Sequence, residues 1–287
     1  MAIPRNPKPQ PQAQSTEATP AAAPLRPRAP IPARANTNTT HAHGFVKSTA
    51  KLARRLIISA TGEDHSGKNH FAFTAPAPIY VHSFDPGIEG VIEKFNQKKD
   101  IYVATYELEV QPGEGTAQAV AESADKLWAD FVSNFRDGLA SCGQGTTVLD
   151  TDTEVWELLR LARFGKLTQI MPHMYGPVNA EMRDLLHEPW GKPVNVFFLS
   201  KYVDEWENYT DATGKERGRK TGNKVQKGFS DLAFHVQVCG VNYREDREGG
   251  GSDFRFLITD CRQAPECNGM VIANDYDELL LNVLGPE

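Results

Sequence analysis

The stretch LIISATGEDHSGKNH, residues 56–70, decides how the rest of the chain reads. Leu56, Ile57 and Ile58 make a short, charge-free run, the pattern of a buried strand. It empties into Gly62-Glu63-Asp64-His65-Ser66-Gly67-Lys68, which fits the first seven positions of the phosphate-binding loop G-x-x-x-x-G-K-[ST]. Gly62 and Gly67 let the backbone turn tightly, so that successive N–H groups point into one anion-sized hollow. Lys68 adds a positive charge that reaches the β- and γ-phosphates, at the start of the helix expected to follow. A buried strand directly upstream is the context such a loop requires; without it, the same residues are a Gly-rich turn. Gly62 to Lys68, together with Asn69 and His70, are the candidate nucleotide contacts. The eighth position departs from the pattern. Asn69 stands where a Ser or Thr hydroxyl ordinarily ligates Mg²⁺, so the metal is expected to be held less well than the nucleotide. Glu63 and Asp64 put negative charge near the phosphates, to be offset by Lys68 and the metal.

Outward from the loop, strand and helix patterns alternate. A short helix at Phe71-Ala72-Phe73 is cut off by Pro76 and Pro78. Residues 79–84 read as a second strand ending in Asp85-Pro86-Gly87, and 88–98 as a helix with Ile88, Val91, Ile92 and Phe95 on one face. A third strand covers 101–108. Val120, Ala124, Leu127, Trp128, Phe131, Phe135 and Leu139 recur at intervals of three and four, the clearest helix of the chain. Residues 146–150 read as a strand ending in an acid, followed by a helix carrying Val155, Trp156, Leu158, Leu159 and Ala162. Another helix is expected over 180–186, a fifth strand over 194–199, and a long loop or hairpin over 213–228. Residues 232–241 and 254–261, joined by Gly249-Gly250-Gly251, read as an antiparallel hairpin, and 276–284 as a last helix. Such alternation calls for an α/β fold, a mostly parallel sheet with helices on both faces.

In a phosphate-loop protein, magnesium and the attacking water are handled by acids at the ends of neighbouring strands. Asp150 fits the magnesium-binding Walker B position; its other reading is an N-cap for the next helix, which Asp152 fills as well. Asp85, ending the second strand, is the candidate to orient or deprotonate water, with Glu89 next in line, although Asp-Pro-Gly is also an ordinary turn. Ser200 or Lys201, ending the fifth strand, either senses the γ-phosphate or belongs to a plain surface loop. Lys215, Arg217, Arg219, Lys220, Lys224 and Lys227 lie among glycines with only Glu216 opposing them locally, and Tyr202, Trp206 and Tyr209 precede them. A flexible basic loop beside aromatics suits a single-stranded nucleic acid with stacked bases; a solvated hairpin is the alternative. The histidines lack metal-ligand spacing.

The chain has 287 residues, 40% of them hydrophobic and 24% charged, and a formal net charge of -6. This is the composition of a soluble globular protein, and its charge argues against coating nucleic acid in bulk. Residues 1–50 differ from the rest: rich in Pro, Ala, Thr and Gln, they cannot bury enough apolar surface to offset their ordering entropy and are expected to be a disordered tail. That tail either solubilises or tethers, and the folded domain is expected over 51–287. Cys142, Cys239, Cys261 and Cys267 show no paired spacing and read as reduced thiols of a cytoplasmic protein. No run is apolar enough for a membrane span.

The ordered set GEDHSGKNHFAFTAPAPIYVHSFDPGIEG, VLDTDTEVWELL, MYGPVNAEMRDLL, VFFLSK and QKGFSDLAFHVQV resembles phage-encoded RecA-like P-loop ATPases of the AAA type, grouped with ATP-dependent single-strand annealing and recombination proteins. The resemblance covers roughly residues 56–258. It implies ATP and Mg²⁺ as ligands, with Gly62, Gly67 and Lys68 on phosphate, Asn69 and Asp150 near magnesium, and Asp85 facing the catalytic water. It places a DNA-binding loop after the fifth strand. It further implies single-stranded DNA as a partner, a single-strand-binding protein or further copies of the chain as others, and the host cytoplasm as the location. A nucleotide-binding protein with little turnover that organises an assembly is the alternative.

Overall fold

The apolar run before the phosphate loop is strand β1, Ile57–Gly62, and all six of its residues are buried. Burial on both faces explains why its sequence does not alternate between polar and apolar. In the computed structural model, which describes residues 54–286 apart from Ala212, β1 sits near the centre of a nine-stranded sheet. The expected tail over 1–50 lies outside the described residues. The other strands are β2 (Ile79–Ser83), β3 (Ile101–Thr105), β4 (Thr146–Asp150), β5 (Asn195–Thr210), β6 (Glu216–Lys227), β7 (Val238–Asp246), β8 (Ser252–Cys261) and β9 (Val271–Ala273). Their order is β3-β2-β4-β5-β1-β7-β8-β9, with β6 paired to β5 alone. β3, β2, β4, β5, β1 and β7 run parallel, and β5–β6, β7–β8 and β8–β9 pair antiparallel. β5 lies between the phosphate-loop strand and the acid-ended strand, with Gly62 level with Lys201 and Asp150 level with Leu199.

Helices cover both faces, as the sequence leads one to expect. α2 (Ala117–Ser141), α3 (Asp152–Phe164) and α4 (Tyr175–His187) pack one face around Trp128, Phe131, Phe135, Leu159 and Leu186. α1 (Lys68–Thr74) and α5 (Tyr276–Leu284) cover the other with Phe71, Phe256, Ile258 and Leu279. The short α1 is anchored by Phe71, whose ring lies 4.7 Å from Phe256 and 5.2 Å from Phe197. Its far end is closed by Lys99, whose ammonium donates to the carbonyls of Phe73, Thr74 and Ala75 at 2.6–2.9 Å. A cation there satisfies carbonyls that have no partner within the helix.

Several expectations need correction. Residues 88–98 are not a helix but two 3-10 turns, Pro86–Ile88 and Ile92–Lys94. Gly90 lies between them at φ 76°, a left-handed conformation that interrupts helical winding. The apolar spacing nevertheless works, because Ile88, Val91, Ile92 and Phe95 all pack on the α1 side of the core. The third strand stops at Thr105 rather than at residue 108. Residues 232–235 form a 3-10 turn, so the strand expected from 232 begins only at Val238. The largest difference lies after β1's neighbour: β5 does not end at residue 199 but runs on to Thr210. The stretch over 213–228 supplies its antiparallel partner, β6. Together they make a two-stranded ribbon. Among the described residues, no helix is long and apolar enough to cross a membrane.

Candidate functional site

Because β1, β2, β4 and the first half of β5 run parallel, the carboxyl ends of β1, β2 and β4 share one edge with Lys201 of β5, where open α/β sheets present their ligand sites. A cleft of roughly 590 Å³ opens there, lined by the phosphate loop, Asp85, Asp150, Thr151, Lys201 and Phe254. Gly67 adopts φ 88°, and a Cβ on it would sit 2.7 Å from the Phe254 ring. A Cβ on Gly62 would lie 2.6 Å from the carbonyl oxygen of Asn242. Both loop glycines are therefore required by the close approach of β7 and β8 as well as by the turn itself.

Lys68 curls over the loop and donates to the carbonyls of Gly62 and Glu63, at 2.9 and 2.8 Å. Burial lowers its pKa, against the pull of Asp150 and Asp64. Asn69 donates from Nδ2 to Asp150 Oδ2 at 2.8 Å, and its Oδ1 is buried without a hydrogen-bond partner. The amide thus ties the loop to β4 and leaves a carbonyl oxygen, a hard donor, beside a carboxylate. That pair fits a small hard cation. Among the described residues, no group of three or more His, Cys, Asp or Glu side chains could hold a metal, so the remaining ligands of such a cation would come from nucleotide and water. Asp150 is 4% exposed, and burial pushes its pKa up to about 6 although the Asn69 bond works the other way. It does not cap α3, whose N-cap is Thr151.

Asp85 is held in place by two contacts. Its Oδ1 accepts from the Gly87 N–H at 3.0 Å and its Oδ2 pairs with Lys201 at 3.0 Å. Burial works to raise its pKa, but the Gly87 N–H and the Lys201 ammonium outweigh that and hold it below the usual carboxylate range. A carboxylate so held can orient water better than it can take its proton. Lys201 also pairs with Glu154 at 2.6 Å, and despite burial these two carboxylates keep its pKa raised. Of the two residues ending the expected fifth strand, only Lys201 lines the cleft. Ser200 is fully buried and donates to Asp152 Oδ1 at 2.5 Å. Glu89 is exposed and takes no part in lining the cleft.

Five of the six cations over 215–227 meet carboxylates, so the stretch is not an uncompensated basic loop. Arg217 pairs with Asp211, Arg219 with Glu207, Lys220 with Asp204, Lys224 with Glu63 and Lys227 with Glu157. Lys215 closes the turn through its backbone N–H on Asp211. The opposing acids come from β5 and the turn after it, from α3 and from the phosphate loop, so a count of local charges missed them. Lys224 meets Glu63 inside the loop, offsetting one of the two negative charges there. Trp206 is 61% exposed, with the Lys220 ammonium 5.7 Å from its ring centroid, and Arg219 lies 5.2 Å from the ring of Tyr209.

Glu154, Thr151, Phe254 and Lys94 line or border the cleft without having been singled out from the sequence. Glu154 had a usable signal: it lies in the first turn of the helix that follows Asp150. Phe254 had none, since nothing local says that β8 reaches across to the loop.

No family model matches the chain, and no curated protein matches it. The solved structures similar to it include the following two. One is a KaiC-like protein, PH0186, from the hyperthermophilic archaeon Pyrococcus horikoshii OT3, at 12% identity and a TM-score of 0.33, over 72% of this chain and 80% of that one. The other is a prototypical ATPase from the type III secretion system of pathogenic bacteria, at 12% identity and a TM-score of 0.32, over 65% of this chain and 50% of that one. The chain thus spans about half the length of the second.

Proposed function

We propose that the protein binds ATP with Mg²⁺ in the cleft at the carboxyl edge of its sheet and hydrolyses it. The observation that carries this reading is the meeting of Lys68, Asn69 and Asp150 at a loop whose two glycines cannot bear a side chain. The loop amides and Lys68 would hold the phosphates, and Asn69 Oδ1 with Asp150 would hold the metal. Bound magnesium would neutralise charge developing on the phosphate oxygens. Asp85, fixed by Gly87 and Lys201, would orient the attacking water. Equilibrium titration with ATP tests the reading: Lys68→Ala removes binding while the thermal transition stays in place.

The ribbon supports a finer part of the proposal, an action on single-stranded DNA in phage recombination or replication. Exposed Trp206 and Tyr209, each beside a cation, offer faces on which bases can stack. ATP hydrolysis measured with and without a single-stranded oligonucleotide tests it. A second reading, nucleotide binding with little turnover, is favoured by the pairing of both Asp85 and Glu154 with Lys201. On that reading the oligonucleotide leaves turnover near zero.

A further inference from the structure

The phosphate loop is held from the opposite end of the sequence. Asn274 follows the last strand, is 7% exposed, and donates from Nδ2 to the carbonyl of Gly67 at 2.8 Å. Asn242 on β7, 1% exposed, donates in turn to Asn274 Oδ1, which fixes the direction of the Asn274 amide. The same Gly67 carbonyl accepts from the Phe71 N–H at 2.9 Å, so both of its lone pairs are used. A trans peptide is planar, and its carbonyl and the following N–H point in opposite directions. Holding the Gly67 carbonyl outward, toward Asn274, therefore aims the Lys68 N–H the other way, into the loop. Gly67 is the residue at which this peptide could most easily turn over, because a glycine at φ 88° has no Cβ to oppose other conformations.

We propose that Asn274, braced by Asn242, is a positioning residue that keeps the Gly67–Lys68 peptide oriented so that the Lys68 N–H faces a bound phosphate. The inference rests on the phosphate-loop reading of the cleft and adds to it a residue outside the motif. Asn274 touches no part of the nucleotide; it acts through the loop backbone. Its loss leaves the base and sugar unaffected and weakens only the hold on phosphate.

The test compares wild type, Asn274→Ala and Lys68→Ala in binding ADP and adenosine, with thermal unfolding recorded for each. Wild type binding ADP, and Lys68→Ala failing to, establishes the loop reading independently of Asn274. Asn274→Ala is expected to bind ADP about tenfold more weakly, the loss of one hydrogen bond to a charged group. Adenosine affinity stays at the wild-type level, and the ³¹P resonance of the ADP β-phosphorus is displaced from its wild-type position. A purely structural role would weaken both ligands together. Should Asn274→Ala melt below the assay temperature, Asn274→Leu carries the same comparison. It keeps about the same size and adds no charge beside the phosphates, and its side chain cannot donate to Gly67. The inference is overturned if either folded variant binds ADP as wild type does, or loses ADP and adenosine in equal measure.

Discussion

At the scale of single residues, Asp152 is the most exacting group in the molecule. It is fully buried, one oxygen accepts from Ser200, and the other has no hydrogen-bond partner. Burial pushes its pKa from 3.8 to about 7. The folded protein then binds one proton more than the unfolded chain between those two values, so stability falls as pH rises through that window, and the penalty is complete above it. Asp152→Asn removes the charge and keeps the acceptor for Ser200. It is expected to stabilise the fold at pH 8 by on the order of 3 kcal/mol and to change little at pH 4; denaturant melts at the two pH values decide it. Asn69 offers a second check. Threonine there keeps a donor for Asp150 and an oxygen for the metal, so the magnesium concentration for half-maximal turnover should move less than about 3-fold. Asn69→Leu loses both and should raise it by about 10-fold or more. Equal curves for all three proteins would place position 69 away from the metal. The candidate residues that were legible in sequence, Lys68 and Asp150, were so because each is fixed by its distance from a strand end. Asn274 and Phe254 were not, because what makes them matter is a contact across some two hundred positions, and no local pattern encodes it.

At the scale of elements, the ribbon of β5 and β6 shows where pattern reading stopped. The lower half of β5 is apolar and buried, and it was recognisable as such; the upper half alternates Tyr202, Asp204 and Trp206 with residues that have no core to face. Only the partner strand makes it a strand. A two-stranded ribbon in water is marginal, and here cross-strand ion pairs and cation–π contacts hold it. Those ion pairs also compete with any polyanion. Asp204→Asn with Glu207→Gln frees Lys220 and Arg219, and should tighten binding of a single-stranded oligonucleotide by about 10-fold. If about four cations reach phosphates, log affinity falls with log salt at a slope of roughly -3, and Arg217→Ala, Arg219→Ala and Lys220→Ala together flatten it. An affinity indifferent to both sets of changes would rule the ribbon out as a nucleic-acid surface. The missing helix over 88–98 is the complementary lesson. Its apolar spacing marked the side that packs on the core, but spacing alone could not see that Gly90 turns left-handed.

At the scale of the whole molecule, strand and helix alternation was enough to read an α/β sheet covered on both faces, because buried parallel strands announce themselves as short apolar runs. Strand order was not readable, since the placing of β5 between β1 and β4 is made by long-range pairing. Yet that order is what brings the loop, Asp150, Asp85 and Lys201 to one edge. The central claim is that this edge is a nucleotide site built on the phosphate loop. Calorimetric titration of the full chain with ATP and magnesium tests it most directly, using wild type and Lys68→Ala. Wild type is expected to show one site per chain and Lys68→Ala an affinity at least about 100-fold weaker, since a charge-assisted contact to phosphate is lost, with both proteins melting alike. Equal affinities in the two proteins, or a folded wild type that takes up no nucleotide, would contradict it.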